Sequence, residues 1–107
     1  MMRAILIETD KKRIREVDDF DGTLGYMYKI LECSLVESVY LSHGDILFVD
    51  EEGLLRSSTI AKGFFRWLAY PQDLSGRGII VGGGDGEELD APAMSIDTAN
   101  RMVAFLT

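Results

Sequence analysis

Apolar residues in this chain come in short runs, each shut by a polar or glycine-containing turn, and that pattern constrains the fold more than any other feature. Arg3 to Glu8, Leu35 to Leu41, Asp45 to Asp50 and Arg77 to Val81 are strand-length segments rich in Ile, Val, Leu and Phe. Between them, Thr9-Asp10-Lys11-Lys12, Ser42-His43-Gly44-Asp45 and Glu51-Glu52-Gly53 supply residues that close tight turns. Runs of this length joined by turns of this kind read as a meander.

Arg3 to Glu8 and Arg13 to Asp18 predict a β-hairpin with a basic tip. Asp21-Gly22-Thr23 starts a helix in which Leu24, Met27, Tyr28 and Leu31 fall at i, i+3, i+4 and i+7, ending near Glu32-Cys33. In the Leu35 to Leu41 strand, Leu35, Val39 and Leu41 share one face and Val36 and Tyr40 the other, which predicts cover on both faces. Leu54-Leu55-Arg56 begins a return strand, and the compact run at Ile79-Ile80-Val81 marks a central one. Residues 60 to 68 admit two readings. Ser57-Ser58-Thr59 can cap a helix, but Gly63 interrupts it, and Phe64, Phe65, Trp67 and Tyr70 suit a strand equally. Tyr70-Pro71-Gln72-Asp73 and Ser75-Gly76 form a loop. Ser95 as N-cap, Asp97 in the first turn, and Ala99, Met102, Val103 and Leu106 on one stripe predict a helix over 95–106. The sum is an α+β fold: one domain over 1–107, with a mainly antiparallel sheet of five or six strands and the 23–33 and 95–106 helices packed on it.

Composition narrows the function classes. A chain of 107 residues with 47% hydrophobic content builds one core and is not disordered. Cys33 is its one cysteine and His43 its one histidine, which excludes an internal disulfide and a Cys/His zinc site. Eighteen acidic side chains stand against 11 basic ones, a net charge of −7. The largest basic cluster is Lys11-Lys12-Arg13-Ile14-Arg15, so direct nucleic-acid binding is not expected. The apolar start at Ala4-Ile5-Leu6-Ile7 meets Glu8 and Asp10 at once, too soon for a signal-peptide core, and Gly63 to Tyr70 is far short of a membrane span. A soluble, cytoplasmic protein is the expectation.

Four groups of residues could carry chemistry. Gly82-Gly83-Gly84-Asp85-Gly86 follows a predicted strand, as a phosphate cradle would, but it fits no phosphate-binding motif and Asp85, Glu87 and Glu88 repel anions. It reads as a flexible turn, the start of a mobile loop reaching Asp90. Carboxylates cluster at Asp18, Asp19 and Asp21, at Asp50, Glu51 and Glu52, and at Asp85 to Asp90, yet no calcium-loop spacing is present and solvated turns explain them. Ser42, His43 and Asp45 are too close in sequence for a catalytic triad and read as exposed turn residues; Cys33 reads as a small core residue. Phe64, Phe65, Trp67 and Tyr70, interleaved with Lys62 and Arg66 and followed by Arg77, are core material that can also stack a ring or anchor an interface.

Several strings add a resemblance. Arg3-Ala4-Ile5-Leu6-Ile7, the run from Gly44 to Leu55, Phe64-Phe65, Tyr70-Pro71-Gln72 and Gly76-Arg77-Gly78-Ile79-Ile80-Val81-Gly82 together resemble a family of small uncharacterised proteins of bacteriophages, plasmids and their hosts, the domain of unknown function 3846 type. The likeness covers most of the chain and brings no activity with it. It implies a setting among mobile genetic elements, where small acidic proteins bind host components. The expected function is non-enzymatic binding of a host protein, as inhibitor or adaptor. The expected binding residues are Arg66, Trp67, Tyr70, Gln72, Arg77, Gly82, Gly83 and Gly84. The alternatives are a small-molecule, nucleotide-like ligand held by Trp67, Tyr70, Arg66, Arg77 and the 82–86 loop, or a small enzyme without a recognisable motif. No cofactor or metal is expected. An open sheet also leaves edges that a second copy can cover.

Overall fold

The computed structural model describes residues 1–84 and 88–106 of the chain. β1 (Met2–Glu8) folds back on β2 (Arg13–Phe20) across a 3-10 turn at Thr9–Lys11, closed by Lys12 at φ 50°. This is the hairpin the sequence predicts. α1 (Leu24–Leu31) starts at Thr23, whose hydroxyl accepts the Tyr26 N–H at 3.2 Å. β3 (Val36–Tyr40) and β4 (Asp45–Asp50) are joined by a 3-10 turn at Ser42–Gly44. Then come α2 (Ser57–Ile60), β5 (Phe64–Trp67), β6 (Leu74–Ser75), β7 (Gly78–Gly82), α3 (Ile96–Met102) and β8 (Val103–Leu106).

The strands form two antiparallel sheets, one in the order β2-β1-β7-β4-β3 and a smaller one in the order β6-β5-β8. The α+β class and the five-stranded antiparallel sheet are as predicted, with β7 at the centre. Alternation sorts the large sheet's side chains. Ala4, Leu6, Phe48, Ile79 and Val81 pack towards Met27 and Leu31 of α1. Ile5, Ile7, Leu47, Val49 and Ile80 pack towards Phe65 and Trp67 of β5 and Ala99 of α3. Both faces of β7 are therefore covered, and its apolar run is continuous for that reason. In β2 the register shifts: Met2 pairs with Phe20 but Ala4 with Val17. The extra residue is a bulge that turns Val17 and Phe20, three apart in sequence, onto the same core.

Four expectations are corrected. Leu54-Leu55-Arg56 is no strand; the Leu55 N–H donates to the Glu52 carbonyl at 2.9 Å in a turn, Leu55 is 83% exposed, and β7 takes the place beside β4. The 57–70 region is neither all helix nor all strand, because Gly63 at φ 100° separates one helical turn from β5. The C-terminal helix stops at Met102 and its last residues are β8. Pairing of Val103 to Leu106 with β5 continues from the Leu68 N–H to Met102 carbonyl bond at 2.8 Å, and it suits Val103 and Phe105 better than a helix would. β3, finally, is an edge strand: Val39 is buried but Tyr40 is 78% exposed. Among the described residues, no helix is long and apolar enough to cross a membrane.

Candidate functional site: a cleft beside the β3–β4 turn

Where β3 turns into β4, a cleft of about 770 Å³ opens between the large sheet and the elements packed on it. Val39 and Leu41 enter it from one face of β3. Trp67, at the end of β5, and Tyr70 face them; the Tyr70 N–H donates to the Trp67 carbonyl at 2.8 Å, and this tight turn brings the two rings to one place. Met94, before α3, and Met102, at its end, add thioether surface, while Tyr40, Ser42, His43 and Thr98 stand around it. No lysine or arginine lines the cleft among the described residues.

One wall is held by two charged side chains acting on backbone. Asp45, 2% exposed, accepts the Ala93 N–H at 2.7 Å and the Met94 N–H at 2.9 Å, one on each carboxylate oxygen. Arg3 donates to the Pro92 and Met94 carbonyls, each at 2.7 Å. Met94 is thereby fixed at the cleft. Asp45 is thus not the exposed turn residue the sequence suggests; as the first residue of β4 it lies under the 93–94 segment. Its neighbour His43 is exposed, at φ 62°.

The residues singled out from the sequence are dispersed. Trp67 and Tyr70 share the cleft. Arg66 lies on the other side of β5, exposed, with Nε 2.9 Å and Nη2 2.6 Å from Asp73 Oδ1. Gln72 is exposed in the loop after Pro71 and does not line the cleft. Arg77 grips Asp10 through Nε and Nη2 at 3.1 and 2.9 Å and donates Nη1 to the Ile30 carbonyl at 3.1 Å. The Asp10 hydrogen bonds raise the Arg77 pKa, and in return hold the Asp10 carboxyl below its usual range. The glycines join segments of backbone. The Gly82 N–H donates to the Asp90 carbonyl at 2.7 Å and the Gly83 N–H to the Gly44 carbonyl at 2.8 Å. A Cβ on Gly82 would strike the Ala91 carbonyl, and Gly84 sits at φ 61° against the Glu88 carbonyl. Asp85, Gly86 and Glu87, in the loop expected to be mobile, lie outside the described residues.

Asp50, of the second carboxylate cluster, has a structural role. Asp50 accepts from Arg56 at 3.0 Å, Thr59 at 2.6 Å and the Glu52 N–H at 2.9 Å. Burial pushes the Glu8 carboxyl up, but hydrogen bonds from Arg13 and Arg15, at 2.6 and 2.7 Å, outweigh it and leave the pKa lowered. Among the described residues no group of three His, Cys, Asp or Glu is placed to hold a metal ion. Burial pushes the half-buried Cys33 thiol up, away from the reactive thiolate. What sequence reasoning missed is the rest of the cleft, Val39, Tyr40, Leu41, Met94 and Met102, because its walls come from separate segments that no local pattern links.

Comparison with known proteins places this architecture in context. The family model DUF3846, described as a domain of unknown function, matches residues 2–103. A Sinorhizobium fredii (strain NBRC 101917 / NGR234) protein named "Uncharacterized protein y4iR" is 31% identical over 97 residues, 90% of this chain and 58% of that protein. The chain thus spans little more than half of that relative's length. No solved structure matches the chain.

Proposed function

The chain belongs to the DUF3846 family, whose description names no activity, and from its cleft we propose a small acidic, non-enzymatic binding protein that engages a host protein. In this reading it serves a mobile genetic element in the host cytoplasm, as an inhibitor or adaptor. The carrying observation is a cleft of about 770 Å³ walled by Trp67, Tyr70, Met94 and Met102 and free of lysine and arginine among the described residues. Such walls take an apolar or aromatic side chain of a partner, the kind of anchor that dominates protein interfaces. The chain as a whole carries a net −7, which favours a basic partner and a complex that added salt weakens. Asp45, at the floor of the cleft, holds backbone in this reading, each of its oxygens accepting a backbone N–H.

The cleft volume favours one second reading, since small-molecule sites span roughly 300–1,000 Å³. A nucleotide fits poorly, because Arg66 and Arg77 are bound to Asp73 and Asp10. An uncharged aromatic compound fits better. Native mass spectrometry of the tagged protein, purified gently from a bacterial host, tests both readings. The expected result is one host protein at fixed stoichiometry, lost with Tyr70→Ala, retained with Arg66→Ala and released by salt. A small adduct with no protein bound would promote the second reading, and a bare chain would defeat the proposal.

A further inference from the structure

The large sheet has two free edges, and they are built differently. The β2 edge carries Arg13, Arg15, Glu16, Asp18 and Asp19 as well as the bulge. Charges and bulges of this sort keep a second strand from adding. The β3 edge has Glu37 as its one charged residue, no proline, and an unbroken register with β4. Its inner hydrogen bonding is fixed at both ends. The Leu41 N–H donates to the Asp45 carbonyl at 2.8 Å and the Glu51 N–H to the Leu35 carbonyl at 3.1 Å. Because antiparallel ladders alternate, residues 35, 37, 39 and 41 bond inward, while Val36, Ser38 and Tyr40 direct their N–H and C=O groups outward. Those outward groups have no hydrogen-bond partner among the described residues.

We propose that this edge pairs with the same edge of a second copy, antiparallel about a two-fold axis at Ser38, so that the sheet continues through the dimer. The observation that selects a second copy is that β3 is its own complement. Centred on Ser38, the pairing sets Tyr40 opposite the partner's Val36, an aromatic against a β-branched side chain on one face. Glu37 stands opposite the partner's Val39, so the like charges are not directly opposed. All outward groups are used: each of the three facing pairs exchanges two bonds, about six in total. A closed two-fold contact ends the association at two chains. Each copy carries −7, so screening by salt strengthens this contact. Salt weakens binding to a basic host protein, and the two readings therefore fail separately.

Sedimentation equilibrium from about 10 μM to about 1 mM, the range in which small interfaces exchange, tests the dimer. The expected result is a two-chain mass at the top of the range, reached at lower concentration in high salt than in low. Ser38→Pro removes an outward N–H and leaves the β4 ladder intact, as proline at an edge does. With unchanged far-UV circular dichroism, this variant should have a one-chain mass throughout. Should it fail to fold, amide exchange on the unaltered chain decides, with Val36, Ser38 and Tyr40 protected about tenfold more at the dimer concentration. A one-chain mass for the unaltered protein at every concentration and salt would overturn the proposal. So would a dimer that survives Ser38→Pro, or outward amides that gain protection only when a host protein binds.

Discussion

The two ends of the large sheet use the same residue types to different effect. β1 and β4 each run antiparallel to β7 between them, so they are parallel to one another. One end therefore holds the Thr9–Lys11 turn and Asp50, the other Arg3 and the Ser42–Gly44 turn. At the first end, charged side chains mostly bind one another: Glu8 with Arg13 and Arg15, Asp10 with Arg77, Asp50 with Arg56, and Glu32 with Lys62 at 2.9 Å, while Arg77, Arg56 and Asp50 also reach backbone at Ile30, Glu32 and Glu52. At the second, Asp45 and Arg3 bind the backbone of residues 92–94, apart from one contact of Arg3 with Glu16 at 3.2 Å. Side chain on side chain closes an end of the sheet. Side chain on backbone fixes Met94 in place as a wall, and the cleft lies at that end.

The comparison breaks hardest at Asp45. Asp45→Ala removes two charge-assisted bonds and leaves two backbone N–H groups without an acceptor, a cost of about 3 kcal/mol in urea unfolding. Asp45→Asn keeps one carbonyl oxygen and recovers part of that, since an amide accepts at one of the two positions. Because the 93–94 amides are then held by one bond, with Arg3 still on the Pro92 and Met94 carbonyls, the folded Asn variant should bind the cleft's partner more weakly while remaining stable enough to purify. An Asn variant that unfolds with wild-type stability and keeps its partner would show that the segment is held some other way.

At the opposite end, Arg77→Ala sharpens the contrast. Arg77 and Asp10 are 16% and 28% exposed, and the guanidinium also reaches the Ile30 carbonyl at the end of α1. The loss should be about 2 kcal/mol, with partner binding at the cleft unchanged. The pH dependence carries the sign. Hydrogen bonds from Arg77 outweigh burial and hold the Asp10 carboxyl below its ordinary value of 3.8. The stabilisation is therefore fully present above that value and is lost as pH falls through the lower, folded one. The stability gap between wild type and Arg77→Ala should narrow below about pH 4 without closing, because the Ile30 bond does not titrate. A gap that is constant from neutral pH to acid would mean that Asp10 takes no part.

The same contrast explains what the sequence could reveal. The hairpin, α1, β4 and β7 were legible because each declares itself in a local period or cap, as Thr23 and Ser95 do. β8 was not, because Ala99, Met102, Val103 and Leu106 make an acceptable helical stripe, and the pairing of Val103 to Leu106 with a strand some forty residues earlier decides otherwise. Phe20 is buried with Val17 through a bulge, which shifts the strand's period by one where Asp18 and Asp19 intervene. Of the aromatics grouped in the sequence, Trp67 and Tyr70 come together at one cleft. The partners of the arginines were not legible, because composition cannot tell a free cation from one held by Asp10 or Asp73.

Arg66 gives the smallest expected effect and the cleanest separation of the two kinds of charge. It neighbours Trp67 in sequence, yet strand alternation sends it to the opposite side, where it and Asp73 are 49% and 45% exposed. Water competes for both groups there, and holding two mobile side chains together offsets much of the attraction, so Arg66→Ala should change stability by less than about 0.5 kcal/mol. Since Arg66 does not line the cleft, capture of the host protein should survive as well. If Arg66→Ala abolished capture while leaving unfolding unaltered, the binding surface would have to run around β5 onto its outer face. The arginine would then be a partner contact and not a solvated pair, and the side-chain contacts at this position would have to be separated from those in the cleft by Tyr70→Ala in the same assay.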